Sequence, residues 1–175
     1  NEQTPHFPGD PAFRREPISG REPWRVSQIV MSSHNGTHLD APLHRIEGGA
    51  PIDAIPLSRV VGLALVVDAT GLSENTPIPA SVLKSLTAQT WPGWIALIHT
   101  GWDQYWLDER YFRHPYLSSE LAQGLVDSGC GLVAIDALSV DSTADDGEAA
   151  HVILLGNDVL IAENLCGLHI LQPGT

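Results

Sequence analysis

VVGLALVVDAT, from Val60 to Thr70, is a near-continuous apolar run closed by turn residues. A strand with one wet face alternates apolar and polar side chains, whereas a strand buried on both faces reads as an unbroken run. WIALIHT (Trp94 to Thr100) and GLVAIDA (Gly131 to Ala137) repeat the pattern. Helix-like segments lie between them. PASVLKSLTA (Pro79 to Ala88) opens on a proline suited to a first helical turn. SSELAQGLVDSG (Ser118 to Gly129) opens on serine caps with Glu120 close behind and ends at a glycine. RVSQIVMSS (Arg25 to Ser33) adds an alternating strand. Buried runs separated by helices define an α/β fold, expected as a mixed β-sheet flanked by helices. At 175 residues the expectation is a single domain over residues 1–175.

Composition narrows the function classes. Apolar residues make up 43% and charged residues 17%, enough for a proper core. The formal net charge is -12 and no segment resembles a basic face, which argues against nucleic acid and anionic membrane surfaces as partners. No apolar run reaches the length of a membrane span. The opening NEQTPHFPGDPAF is polar and proline-rich, unlike a signal peptide, although the chain begins at Asn1 and not at a methionine. Cys130 and Cys166 form no CxxC pair. A reducing, cytoplasmic setting without a disulfide scaffold is expected.

Several motifs carry no function. GCGLVA (Gly129 to Ala134) matches a loose GxGxxA, but a dinucleotide site needs that pattern after a strand and before a helix. Here it follows a helix and opens a strand. No GxSxG occurs. DSTADDGE (Asp141 to Glu148) reads as a solvated acidic loop. His6, His114 and His169 have no partner pattern and are read as structural. His99 lies near a strand end, where sites gather in α/β folds.

SSHNGTHLDAPLH, from Ser32 to His44, is different. It holds three of the eight histidines and one aspartate. His34, His38, Asp40 and His44 are separated by even numbers of residues. Gly36 and Pro42 discourage a helix interior, and in an extended segment even separations share a face. Imidazoles and a carboxylate converging on one point suit a zinc- or manganese-type ion. Further along, His151 and Glu163 bracket the apolar segment HVILLGNDVLIAENL. That pair is uninformative by itself.

HNGTHLDAPLH resembles the HxGTHxDxPxH signature of the metal-dependent cyclase family, also called the kynurenine formamidase (arylformamidase) family. FPGDP (Phe7 to Pro11) resembles its N-terminal segment, TGW (Thr100 to Trp102) the end of a central strand, and IDALSVD (Ile135 to Asp141) a D-x-x-S-x-D stretch. HVILLGNDVLIAENL resembles the late segment that supplies further ligands. The resemblance covers nearly the whole chain and implies a swivelling β/α/β-type fold. It implies one divalent ion held by His34, His38 and Asp40. A second would be held by Asp40, His151 and Glu163, with Asp40 bridging and His44 as the catalytic histidine. One or two zinc or manganese ions are expected.

The activity so implied is a metal-dependent amidohydrolase. A divalent ion lowers the pKa of a bound water to roughly 7, the hydroxide attacks an amide carbonyl, and His44 shuttles the proton to the leaving nitrogen. Aryl formamides such as N-formylkynurenine lead the substrate classes. A ring-opening hydrolase of cyclic amides, isatin hydrolase-like, is the alternative, and a non-catalytic metal-binding protein is the third reading. A homodimer or homotetramer fits the family, and in such an assembly HFPGDP (His6 to Pro11) is a candidate segment to close a neighbour's site. Members of this family usually continue past the ENL segment with further strand and a C-terminal tail, whereas this sequence ends at Thr175, soon after CGLHILQPGT.

Overall fold

The computed structural model describes residues 2–86, 90–145 and 147–171. In chain order the strands are β1 (Arg14–Pro17), β2 (Ser27–Val30), β3 (His38–Asp40), β4 (Ala64–Asp68), β5 (Pro77–Ile78), β6 (Trp94–His99), β7 (Tyr116–Leu117), β8 (Cys130–Ile135) and β9 (Leu160–Glu163). The helices are α1 (Ser119–Asp127) and α2 (Ala149–Gly156). The main sheet has the order β3-β9-β8-β6-β4. β4, β6, β8 and β9 run parallel, and β3 closes the edge antiparallel to β9. The expected mixed sheet is therefore present.

The three apolar runs form three adjacent parallel strands. Their side chains alternate between two apolar layers, as the two-residue period of a strand requires. Trp94, Ala96 and Ile98 of β6, with Val133 and Ile135 of β8, enter the larger core together with both helices. Ile95 of β6, and Leu132 and Ala134 of β8, face the other way, toward Leu39, Ile55 and Val60. α1 and α2 thus pack on the same face of the sheet. On the opposite face pack Ile55 and Val60, the residues that end the 3-10 turns Ile52–Ala54 and Leu57–Arg59.

α1 follows its sequence signals. The Ser118 hydroxyl accepts from the Leu121 N–H at 3.1 Å. Leu121 and Leu125, one turn apart, are fully buried, and each such burial stabilises the fold by about 1.5–3 kcal/mol. Gly129, at φ +76°, ends the helix and turns into β8, the reverse of a dinucleotide motif.

Three expectations change. Arg25 to Ser33 yields strand only at Ser27–Val30, and this strand pairs with β1 in a separate two-stranded ribbon. Its alternation reflects an exposed ribbon and not an edge of the main sheet. The segment Pro79 to Ala88 is a 3-10 helix over Ala80–Leu86, with residues 87 and 88 outside the described part. α2 and β9 are new elements, both within HVILLGNDVLIAENL and its flank. Among the described residues no helix is long and apolar enough to cross a membrane.

Candidate metal centre

β3 is the first element of the site. His38 and Asp40 are two residues apart on it and so share a face. The β3–β9 register sets His38 opposite Glu163, the last residue of β9. The site therefore lies at the carboxyl end of the parallel strands, where open α/β sheets bind their ligands.

His34 and His44 reach it from outside the strand. Ahead of β3, Gly36 turns at φ +65°, a left-handed conformation that costs glycine least. The Ser32 hydroxyl donates to Asp10 at 2.7 Å and accepts from the His34 N–H at 3.2 Å. Thr37 donates to the Asn164 carbonyl at 2.6 Å, fixing this loop to the end of β9. After β3, Pro42 starts the 3-10 turn Pro42–His44. Gly49 lies against that turn so closely that a Cβ there would meet Pro42 at 2.7 Å. The His34 and His44 rings stack at 3.8 Å between centroids.

His151 comes from α2. Asp141 accepts from the Ala150 and His151 N–H groups at 2.8 and 2.9 Å, and from His151 Nδ1 at 2.7 Å. One carboxylate thus caps α2 and fixes the tautomer that leaves His151 Nε2 as a ligand atom. His38 is fixed in the same way, with Nδ1 donating to the Gly36 carbonyl at 2.8 Å. His38 Nε2 lies 3.3 Å from Asp40 Oδ1 and 3.7 Å from Glu163 Oε2. His151 Nε2 lies 3.6 Å from both Asp40 Oδ2 and Glu163 Oε1. His34 Nδ1 is 2.7 Å from Asp40 Oδ1.

All six residues singled out in the sequence meet here. Two ligand sets have their donor atoms within 4.8 Å of one another: His34, His38 and Asp40, and Asp40, His44 and His151. Asp40 belongs to both. Glu163 stands beside them, with Oε1 accepting from the Val140 N–H at 2.9 Å.

The donor set fits a cation. Both Asp40 carboxylate oxygens and His38 Nε2 are buried without an aligned hydrogen bond. Buried polar atoms are normally satisfied, and three orphans of ligand type facing one another are what an ion would satisfy. The protonation balance agrees. Burial opposes charge on Asp40, but His151, His34 and His38 outweigh it and hold the carboxyl well below its usual range. Burial likewise opposes protonation of His151, yet Asp141 and Asp40 push it up to about 10, so the carboxylates hold on Nε2 a proton that a bound cation would displace. Burial raises Glu163. His44 alone among the shifted cluster imidazoles moves down, through burial and the neighbouring rings.

Asp141 was not legible as a site residue. In the sequence it begins an acidic run that reads as a solvated loop; in the structure it is buried and holds His151. Its place after IDALSV was the available signal. His6, read as structural, lines the same cleft with Phe7 and Asp10, so the HFPGDP segment, expected at a neighbour's site, borders the site of its own chain. His99 instead lies 4.0 Å from Asp136, outside the cleft lining. His114 is a buried core histidine.

The fold and donor set define an α/β protein with a candidate metal site, and sequence comparison gives its family. Residues 1–142 match the family described as putative cyclase, and the chain belongs to this family. It is 32% identical over 165 residues to the kynurenine formamidase of Erythrobacter litoralis, spanning 92% of this chain and 73% of that protein. A solved "predicted metal-dependent hydrolase" from Bacillus stearothermophilus superposes with a TM-score of 0.79 at 31% identity, covering 99% of this chain and 82% of that one. Isatin hydrolase A from Labrenzia aggregata shares the fold, with a TM-score of 0.85 at 21% identity over 100% of this chain and 80% of its own.

Proposed function

We propose that this chain is a metal-dependent hydrolase of small amides that cleaves the carbon–nitrogen bond of an aryl formamide, with N-formylkynurenine the leading substrate. The supporting observation is the buried, unpartnered ligand set of His38 and Asp40 in a family whose similar members are kynurenine formamidases. His34, His38 and Asp40 would hold one divalent ion, zinc or manganese. Asp40, His151 and Glu163 would hold a second. A bound divalent ion supplies Lewis acidity, polarising a carbonyl and lowering the pKa of water.

The chain's own residues do the rest. The cleft has a volume of about 470 Å³, suited to one small aromatic substrate. Phe7 and Leu138 give it apolar wall. His44 touches the cluster through His34, and its lowered pKa leaves a neutral imidazole at neutral pH. It takes the proton of the attacking water and returns it to the leaving nitrogen, which cannot depart as an anion. Asp141 holds His151 in one tautomer, and Gly36 does so for His38.

Metal analysis followed by an activity panel tests this reading. N-formylkynurenine and formanilide should be hydrolysed, and a chelator should abolish the activity. Turnover of isatin alone would assign the cyclic-amide chemistry instead. Bound metal with no turnover on any substrate would make the chain a non-catalytic metal binder.

We also propose a homo-oligomer. The β1–β2 ribbon exposes Ile18, Trp24, Val26, Ile29, Val30 and Met31. It carries Arg14, Arg15, Arg21 and Arg25, four of nine cationic side chains, in a chain of net charge -12. An apolar, cationic arm is complementary to the acidic body of a second copy. Light scattering should give a dimer or tetramer, and Trp24→Ser with Ile29→Ser should yield monomer. A monomeric unmodified protein would overturn this. Both cysteines are unpaired, which supports a reducing, cytoplasmic setting.

A further inference from the structure

Between the cluster and solvent the cleft carries a second set of charges. Arg45 and Glu148 both line it. The guanidinium donates twice to the carboxylate, with Nε reaching Oε2 at 2.9 Å and a second N–H reaching Oε1. Other exposed pairs, such as Arg59–Asp158 and Arg113–Glu74, lie away from the cleft.

The placement of this pair is what sets it apart. Arg45 directly follows His44 at the end of its 3-10 turn, and Glu148 is the N-cap residue of α2, three positions before His151. Each is carried by an element that also carries a cluster imidazole, so the backbone fixes how far both stand from the reacting centre. Neither serves the cluster. Arg45 is the one arginine or lysine among the described lining residues. The other lining carboxylates are engaged: Asp10 by Ser32, Asp141 by His151, and Glu163 by Val140. The Arg45 and Glu148 side chains are 42% and 59% exposed. An ion pair so exposed holds weakly, because water competes for both charges. A ligand that brings the same two charges in opposite order can replace it.

We propose that Arg45 and Glu148 form a rim site for the α-amino acid end of the substrate, with the guanidinium taking the α-carboxylate and Glu148 taking the α-ammonium. This rests on the cluster being a site of amide hydrolysis. With the formamide carbonyl among the imidazoles and the ring against Phe7 and Leu138, the zwitterionic tail of N-formylkynurenine faces the rim. The planar guanidinium fork accepts a carboxylate through two parallel hydrogen bonds. Before substrate arrives, the mutual pair keeps both groups satisfied and extended over the cleft. Formanilide and isatin have no zwitterionic tail and gain nothing there. The rim therefore selects among amides that the metal chemistry alone treats alike.

The test compares kcat/KM for N-formylkynurenine and for formanilide with metal-loaded protein. The wild type should prefer N-formylkynurenine. Arg45→Met should lower the ratio of the two values by about tenfold or more, as loss of a charge-assisted hydrogen bond does, and the loss should sit in KM. Exchanging the charges, Arg45→Glu with Glu148→Arg, restores an ion pair but presents it in reverse order, so the ratio should stay low. Calorimetry with L-kynurenine on metal-free protein reads the same site without turnover, and both variants should bind it more weakly. A ratio unchanged in Arg45→Met, or restored by the exchange, overturns the proposal. Wild-type protein that cleaves formanilide without preferring N-formylkynurenine overturns it and leaves the formamidase reading standing. Wild-type protein that cleaves neither formamide overturns both.

Discussion

Asp40 is 1% exposed, yet the cluster holds it as a carboxylate with imidazoles on three sides. It is the one residue common to both ligand sets. Asp40→Ala should therefore abolish activity and remove more bound metal than any single histidine change, as read by elemental analysis of the purified variants. His44 falls within the second of these sets by distance, but it is the exposed member of the cluster, stacked on His34 at the cleft side. His44→Ala should keep the metal and lose turnover by about 10²–10⁴-fold on an anilide, the usual contribution of an acid–base group. An activated ester, whose leaving group needs no proton, should suffer less. Metal content measured with the anilide-to-ester rate ratio decides the matter. Loss of metal, or equal slowing of both substrates, would make His44 a ligand.

α2 presents His151 to the cluster only because its first turn is held from outside. Its own N-cap residue, Glu148, makes no side-chain cap bond. Asp141 takes over, accepting from two backbone N–H groups and from the imidazole. Asp141→Asn keeps the shape but loses the charge and one acceptor oxygen. Outer partners of ligating histidines typically contribute about 10–100-fold in metal affinity. Metal affinity should fall by that order, while the circular dichroism of the fold changes little. An unchanged affinity would show that α2 is positioned by its packing against α1 alone. At this scale α2 and β9 were not legible, whereas α1 and the buried strands β4, β6 and β8 were, since apolar runs and capping serines are local signals. β3 was less so. Parity placed four side chains on one face, but the strand is only three residues long, and only His38 and Asp40 use it. His34 and His44 arrive through a left-handed glycine and a proline-led turn.

Over the whole molecule, the stability should depend on pH through a buried histidine that is not a member of the cluster. His114 is 1% exposed, donates from Nδ1 to the Pro115 carbonyl at 2.9 Å, and leaves Nε2 without a partner. Burial lowers its pKa to about 4, against roughly 6.5 in an unfolded chain. Between those values the unfolded state binds more protons, so acidification favours unfolding. The contribution is full above about pH 6.5 and is lost as the pH falls to about 4. It amounts to about 3 kcal/mol at roughly 1.36 kcal/mol per unit. Denaturant midpoints between pH 7 and 4 should fall less steeply in His114→Asn than in the unmodified protein. Parallel slopes would refute this.

The sequence by itself determined the buried parallel strands β4, β6 and β8, because two-sided burial shows as unbroken apolar runs. It also brought out four of the six cluster residues, because the spacing of His34, His38, Asp40 and His44 is a local property of one segment, whereas His151 and Glu163 stood out only through the family resemblance. The tertiary structure decided what that segment meets. Thr37 bonds Asn164 across 127 residues, and the β3–β9 register beside it puts Glu163 opposite His38. Pairing across such a distance depends on how every intervening element packs, and no window of sequence contains that information. The same reason separates Asp141, drawn into the interior by α2, from the rest of its acidic run. It also leaves the β1–β2 ribbon outside the sheet that its alternating residues suit.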